Sequence, residues 1–69
     1  MSKFNKSVVV SGEKVIETIR AFNELGVNEY EFVELGLGNS ELFCVAFRCN
    51  KKTFYKFISK VRVEYISSR

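Results

Sequence analysis

Histidine, tryptophan, proline and aspartate are all missing from the 69 residues. Without histidine the chain lacks the commonest general base and the commonest nitrogen ligand for zinc. Every acid is one of eight glutamates, and the aromatic load falls on seven Phe and three Tyr. No apolar run approaches the ~20 residues of a membrane-spanning helix, and the amino terminus is not basic and then apolar. The expectation is therefore a soluble, cytoplasmic protein. Cysteine is scarce as well. Cys44 and Cys49 lie five residues apart on one expected strand, so their Cα atoms are separated by roughly 16 Å, beyond disulfide reach. They read as reduced thiols that fill space.

Signatures of chemistry are also missing. Gly36-x-Gly38 lacks the third glycine, the lysine and the following helix of a nucleotide cradle, and reads as a turn. Glu29 and Glu31 are same-face neighbours on a strand, roughly 6 to 7 Å apart, a separation that also occurs between glycosidase carboxylates. Neither pocket-forming bulk nor a partner motif accompanies them. No residue is assigned as catalytic, cofactor-binding or metal-ligating, no cofactor is implied, and an enzyme is not expected.

A single domain over residues 1–69 is expected, near the size at which one core is only marginally stabilising. The ten aromatic residues bury much area each, and a 46% hydrophobic content places the chain among folded proteins. The central stretch is Glu41 to Cys49, the longest strand-favouring run. Phe43, Val45 and Phe47 fall on one face and Leu42, Cys44, Ala46 and Arg48 on the other. The odd face reads as core. The smaller even face reads as a lightly covered contact surface. Upstream, Gly36 to Ser40 supplies the residues that close a hairpin, so Glu29 to Leu35 is expected to pair antiparallel with Glu41 to Cys49.

Phe4 to Val10 is a β-branched first strand with Phe4, Val8 and Val10 inward. Ser11 stands at an N-cap and Gly26 at a left-handed stop, which predicts a helix from Gly12 to Leu25. Val15, Ile19 and Phe22 form its inner face, with Ile16 and Leu25 flanking. Its outer face carries Glu13, Glu17, Arg20 and Glu24. In Asn28 to Leu35 the alternation is imperfect, and a bulge near Phe32 and Val33 is expected to reconcile it. Asn50 caps a second helix from Lys51 to about Lys60, with Phe54, Phe57 and Ile58 inward. Val61 to Ile66 reads as a fourth strand, with βααβ-type variants or a three-stranded sheet and a longer C-terminal helix left open.

The order strand, helix, strand, strand, helix, strand is an α+β, split βαβ arrangement (βαββαβ), with two helices on one face of a four-stranded antiparallel sheet. It resembles a compact ferredoxin-like fold. The resemblance is one of element order and implies shape alone, since such a fold hosts many functions. The first strand-to-helix loop, Val10-Ser11-Gly12-Glu13, has no Cys-x-x-Cys. Strand three departs from the Lys/Arg-Gly-aromatic run with which RNA-recognition motifs stack bases.

Charge is distributed unevenly. Residues 1–47 hold four basic and seven acidic residues, a net −3, whereas residues 48–69 hold seven basic and one acidic, a net +6. Lys52, Lys56 and Lys60 form an i, i+4 stripe opposite Phe54, Phe57 and Ile58. Lys51 and Lys52 occupy the first turn, where positive charge opposes the macrodipole by a few tenths to about 1 kcal/mol each. Such an amino terminus, with the Thr53 hydroxyl near, suits a phosphate or carboxylate. The bland alternative is a solvated face that complements the acidic first helix.

By subtraction, the expectation is a non-enzymatic small protein that binds, and so modulates or inhibits, a larger acidic protein, in the manner of viral host-takeover factors and antitoxins. The alternative is an RNA- or DNA-binding module that uses the basic second helix. In either case the expected contacts are Arg48, Lys51, Lys52, Tyr55, Lys56, Lys60 and Arg62. Leu42, Cys44 and Ala46 are the expected surface of a two-fold homodimer.

Overall fold

Three consecutive valines, Val8 to Val10, seed the middle of the sheet, since β-branched side chains suit a pleated surface packed on both sides. In the computed structural model, which describes residues 3–36 and 41–66, they belong to β1 (Lys6–Ser11). A short 3-10 turn, Gly12–Lys14, then leads into α1 (Val15–Leu25), β2 (Tyr30–Glu34), β3 (Leu42–Phe47), α2 (Lys51–Lys60) and β4 (Tyr65–Ile66). The strand order is β2-β3-β1-β4, and all neighbours are antiparallel. This is the predicted α+β architecture, a ferredoxin-like split βαβ.

Alternation divides the sheet into two unlike faces. Val8 and Val10 of β1, Val45 and Phe47 of β3, Ala21 and Phe22 of α1, and Phe54 and Phe57 of α2 form one buried cluster, so both helices cover the same face. Phe22 is its hub. Its ring centroid lies 4.8 Å from Tyr30, 4.8 Å from Phe47 and 4.9 Å from Phe57, joining both helices to two strands. Such aromatic contacts add about 0.5–1.5 kcal/mol each beyond area burial.

The hairpin between β2 and β3 forms as expected, although Leu37 to Ser40 of its turn lie outside the described residues. The expected bulge does not form. The register runs unbroken from Tyr30 opposite Phe47 to Glu34 opposite Phe43. Tyr30 and Phe32 both turn toward Phe22 and the core, and Val33 is left 48% exposed on the far face. The first strand begins later than predicted. The Asn5 side chain bonds both the N–H and the carbonyl of Cys49, closing the strand's entry, and Phe4 lies outside the core beneath the Lys3 ammonium.

Helix α1 is rotated relative to its hydropathy pattern. Thr18 is fully buried, whereas Ile16, about 200° away around the helix, is 62% exposed. The Thr18 hydroxyl donates to the Lys14 carbonyl at 2.7 Å, and a hydroxyl satisfied in this way costs little to bury. The fourth strand is shorter than the predicted Val61 to Ile66. Val61 closes α2 and is buried in the core, and only Tyr65 and Ile66 pair, with Val9 and Val8.

Candidate binding surfaces

Helix α2 starts where the sequence places it because Asn50 satisfies an otherwise unpaired helix donor: its side-chain oxygen accepts the Thr53 N–H at 2.8 Å. Phe54 and Phe57 point into the core, which turns Lys51, Lys52, Tyr55 and Lys56 outward. Lys52 and Lys56 lie one turn apart near the middle of the solvent side. Tyr55, at 55% exposure, borders them with its ring 6.2 Å from that of Phe54. Among the described residues, Lys51, Lys52 and Lys56 form no ion pair.

The other predicted contact residues fall elsewhere. Lys60 turns toward α1 and pairs with Glu24 at 3.0 Å, as expected of a lysine that complements the acidic helix beside it. Arg48 shares the parity of Leu42, Cys44 and Ala46 and donates to the Lys3 carbonyl at 3.1 Å, away from the helix-covered face. Arg62 is exposed beyond the end of α2. The basic surface of α2 itself is thus Lys51, Lys52, Tyr55 and Lys56.

Between the helices runs an open groove of about 280 Å³ lined by Glu17, Arg20, Ala21, Glu24, Lys60 and Val61. Two carboxylates, a guanidinium and an ammonium balance each other there, with no nucleophile among them. Among the described residues no cluster of acidic or cysteine side chains is arranged to hold a metal ion. Cys44 and Cys49 are free thiols on opposite sides of the chain's path. Cys44 lies 3.4 Å from the Ser7 hydroxyl on the open face, and Cys49 packs against the core.

The chain matches no family model, no curated protein and no solved structure. The surfaces must therefore be read from their own chemistry.

The second surface is the sheet face without helices. By register, Val33, Cys44, Val9 and Tyr65 form a row across all four strands, with Leu42 beside it and Ala46 and Ser7 in the next row. Val9 is buried between its cross-strand partners, although it is outside the helix-side core. Val33 and Tyr65 are 48% and 58% exposed at the two ends of the row. Leu42, Cys44 and Ala46, the predicted self-association residues, do lie together here. Sequence reading missed Val33 and Tyr65, whose places depend on the β2 register and on the short β4.

Proposed function

We propose that this chain is a non-enzymatic, cytoplasmic binding protein whose α2 face docks on an acidic surface of a larger protein and inhibits it. The observation that carries this reading is the set Lys51, Lys52, Lys56 and Tyr55. Three cations without ion-pair partners among the described residues flank an exposed aromatic ring, and two of them sit in a helix's first turn against its dipole. A cationic rim beside an aromatic anchor matches the composition of protein interfaces, where Tyr contributes affinity and charge steers the encounter. The open sheet face, on which Leu42, Cys44 and Ala46 lie together, is in the same reading the surface for two-fold self-association.

The test compares wild type with a Lys51→Glu, Lys52→Glu, Lys56→Glu variant in capture experiments from the native source, with and without ribonuclease and deoxyribonuclease. Lys60 is left intact because its change disturbs the pair with Glu24. A stoichiometric protein retained by wild type after nuclease treatment and lost by the variant is the expected result. Capture of nucleic acid alone, weakening by roughly 0.7–0.9 log units per phosphate contact for each tenfold rise in salt, assigns the face to RNA or DNA instead. Equal behaviour of the folded variant and wild type makes it an ordinary solvated face.

A further inference from the structure

The sheet ends at β2, and the direction of its hydrogen bonds shows what that edge offers. The Leu35 N–H donates to the Leu42 carbonyl at 2.9 Å, and the Arg48 N–H donates to the Glu29 carbonyl at 3.1 Å. With the unbroken register, the odd-numbered residues Glu29, Glu31, Val33 and Leu35 therefore aim their backbone groups at β3. Tyr30, Phe32 and Glu34 aim theirs outward. Their three N–H and three carbonyl groups have no backbone partner among the described residues, since β2 has only one neighbouring strand. Over Tyr30–Glu34 the edge has no proline, no bulge and no lysine, and the charges it carries are glutamates. The opposite edge, β4, comprises Tyr65–Ile66 among the described residues.

Charge limits what can occupy the edge. Glu29, Glu31 and Glu34 are all exposed, and none is ion-paired among the described residues. From Asn28 to Gly36 there is no cation. A second copy of β2 pairing here brings six carboxylates into one two-stranded ribbon, and like charges across strands are unfavourable. A strand bearing lysine or arginine is favoured by the same carboxylates.

We propose that the β2 edge accepts an extended basic segment of another protein as a fifth, antiparallel strand, a surface separate from the α2 face. The pleat fixes the pattern this segment carries. Read antiparallel from Glu34 back to Glu29, its residues face Glu34, Val33, Phe32, Glu31, Tyr30 and Glu29, so the matching order is basic, apolar, apolar, basic, apolar, basic. Phe32 and Tyr30 lie on the helix side of the ribbon and Val33 on the other.

The experiment is residue-resolved amide hydrogen exchange of the full chain with a synthetic peptide of that pattern and a control in which glutamate replaces each basic residue. The expected result is alternation: the Tyr30, Phe32 and Glu34 amides gain protection with the basic peptide, whereas those of Glu31 and Val33, already bonded to β3, change little. A Glu29→Lys, Glu31→Lys variant weakens binding of the basic peptide about tenfold, from two reversed cross-strand pairs. The Lys51→Glu, Lys52→Glu, Lys56→Glu variant leaves it unchanged, so failure here is distinct from failure of the α2 surface. The proposal is overturned if those three amides gain no protection, if the acidic control protects them equally, or if they become protected with rising concentration of the chain alone, which assigns the edge to a second copy.

Discussion

Gly26 shows how one residue sets the end of an element. Its φ of 76° is left-handed, its N–H donates to the Asn23 carbonyl, and the next N–H, of Val27, reaches back to Phe22 at 2.9 Å. That pair of bonds closes α1 and folds Val27 onto the core beside Phe22. Space is not the constraint, since a Cβ there meets nothing within 4 Å. The backbone angle is, and Gly26→Ala is expected to lower stability by about 1 kcal/mol in chemical denaturation. An unchanged midpoint contradicts this account. Cys49 supplies a second test at this scale. Burial pushes its thiol above the ordinary range, and the Lys6 ammonium pulls it partly back. Because the folded pKa is raised, the neutral thiol's contribution to stability is complete below the unfolded thiol's pKa, near 8.5, and is lost as pH rises from there through the folded value. Alkylation of Cys49 by iodoacetamide at pH 8 is expected to be slower than that of an unstructured thiol, and slower again in Lys6→Gln, where the lowering charge is gone. Faster reaction in Lys6→Gln overturns the assignment of that charge.

Helix α2 was the element most legible from sequence, because its cap, inner aromatic residues and outer lysines are all local signals that the fold leaves intact. Asn50, Phe54, Phe57 and the exposed Lys52 and Lys56 stand as the pattern implied. What was not legible depends on neighbours. A complement between the lysine stripe and the acidic first helix is legible as an alternative, but that Lys60 is the lysine that meets it, at 3.0 Å from Glu24, is not on a helix wheel. Val33 reads as core by hydropathy, yet the aromatic contacts of Tyr30 and Phe32 set the strand's phase and turn it outward. Ile16, expected beside the inner face, is exposed, and Thr18, to which the hydropathy pattern gives no place, is buried with its hydroxyl bonded within its own helix. The same element yields a prediction about the price of binding. Lys51 and Lys52 face the positive end of the α2 dipole with no acid in the first turn. Lys51→Glu with Lys52→Glu is therefore expected to raise stability by about 1 kcal/mol in total, equivalent to roughly 4–8 °C in Tm for a domain of this size. A variant that is more stable yet no longer binds is the signature of residues kept for a partner. A fall in Tm on scanning calorimetry refutes the dipole argument.

At the scale of the whole molecule, the net −3 of residues 1–47 and the +6 of residues 48–69 are folded side by side, with α1 against α2. The acidic and basic helices meet through Lys60 and Glu24; Glu17 of α1 pairs with Lys14, whereas Lys51, Lys52 and Lys56 of α2 form no ion pair among the described residues. No helix among the described residues is long and apolar enough to cross a membrane. Part of the exposed apolar surface, Val33 and Tyr65 with Leu42, Cys44 and Ala46 between them, lies on the sheet face opposite the helices, and its size bounds what it can do. Strands about 4.8 Å apart and six residues at about 3.4 Å give a face of roughly 400 Å² per copy. Two such faces bury about 800 Å², short of the ~1,200 Å² at which stable interfaces begin. Self-association through Leu42, Cys44 and Ala46 is accordingly expected to be weak, with a dissociation constant on the order of tens of micromolar or higher. Sedimentation equilibrium from ten to several hundred micromolar is expected to show an average mass climbing from 8.0 kDa toward twice that value, with Tm rising alongside because the dimer binds only the folded chain. Leu42→Asp places a carboxylate on that face, outside the helix-side core, and holds the mass at the monomer value while the circular dichroism spectrum stays that of wild type. A single 8.0 kDa species at every concentration removes the dimer and leaves the open face without an occupant, whereas a mass that climbs equally in Leu42→Asp moves the contact to another surface.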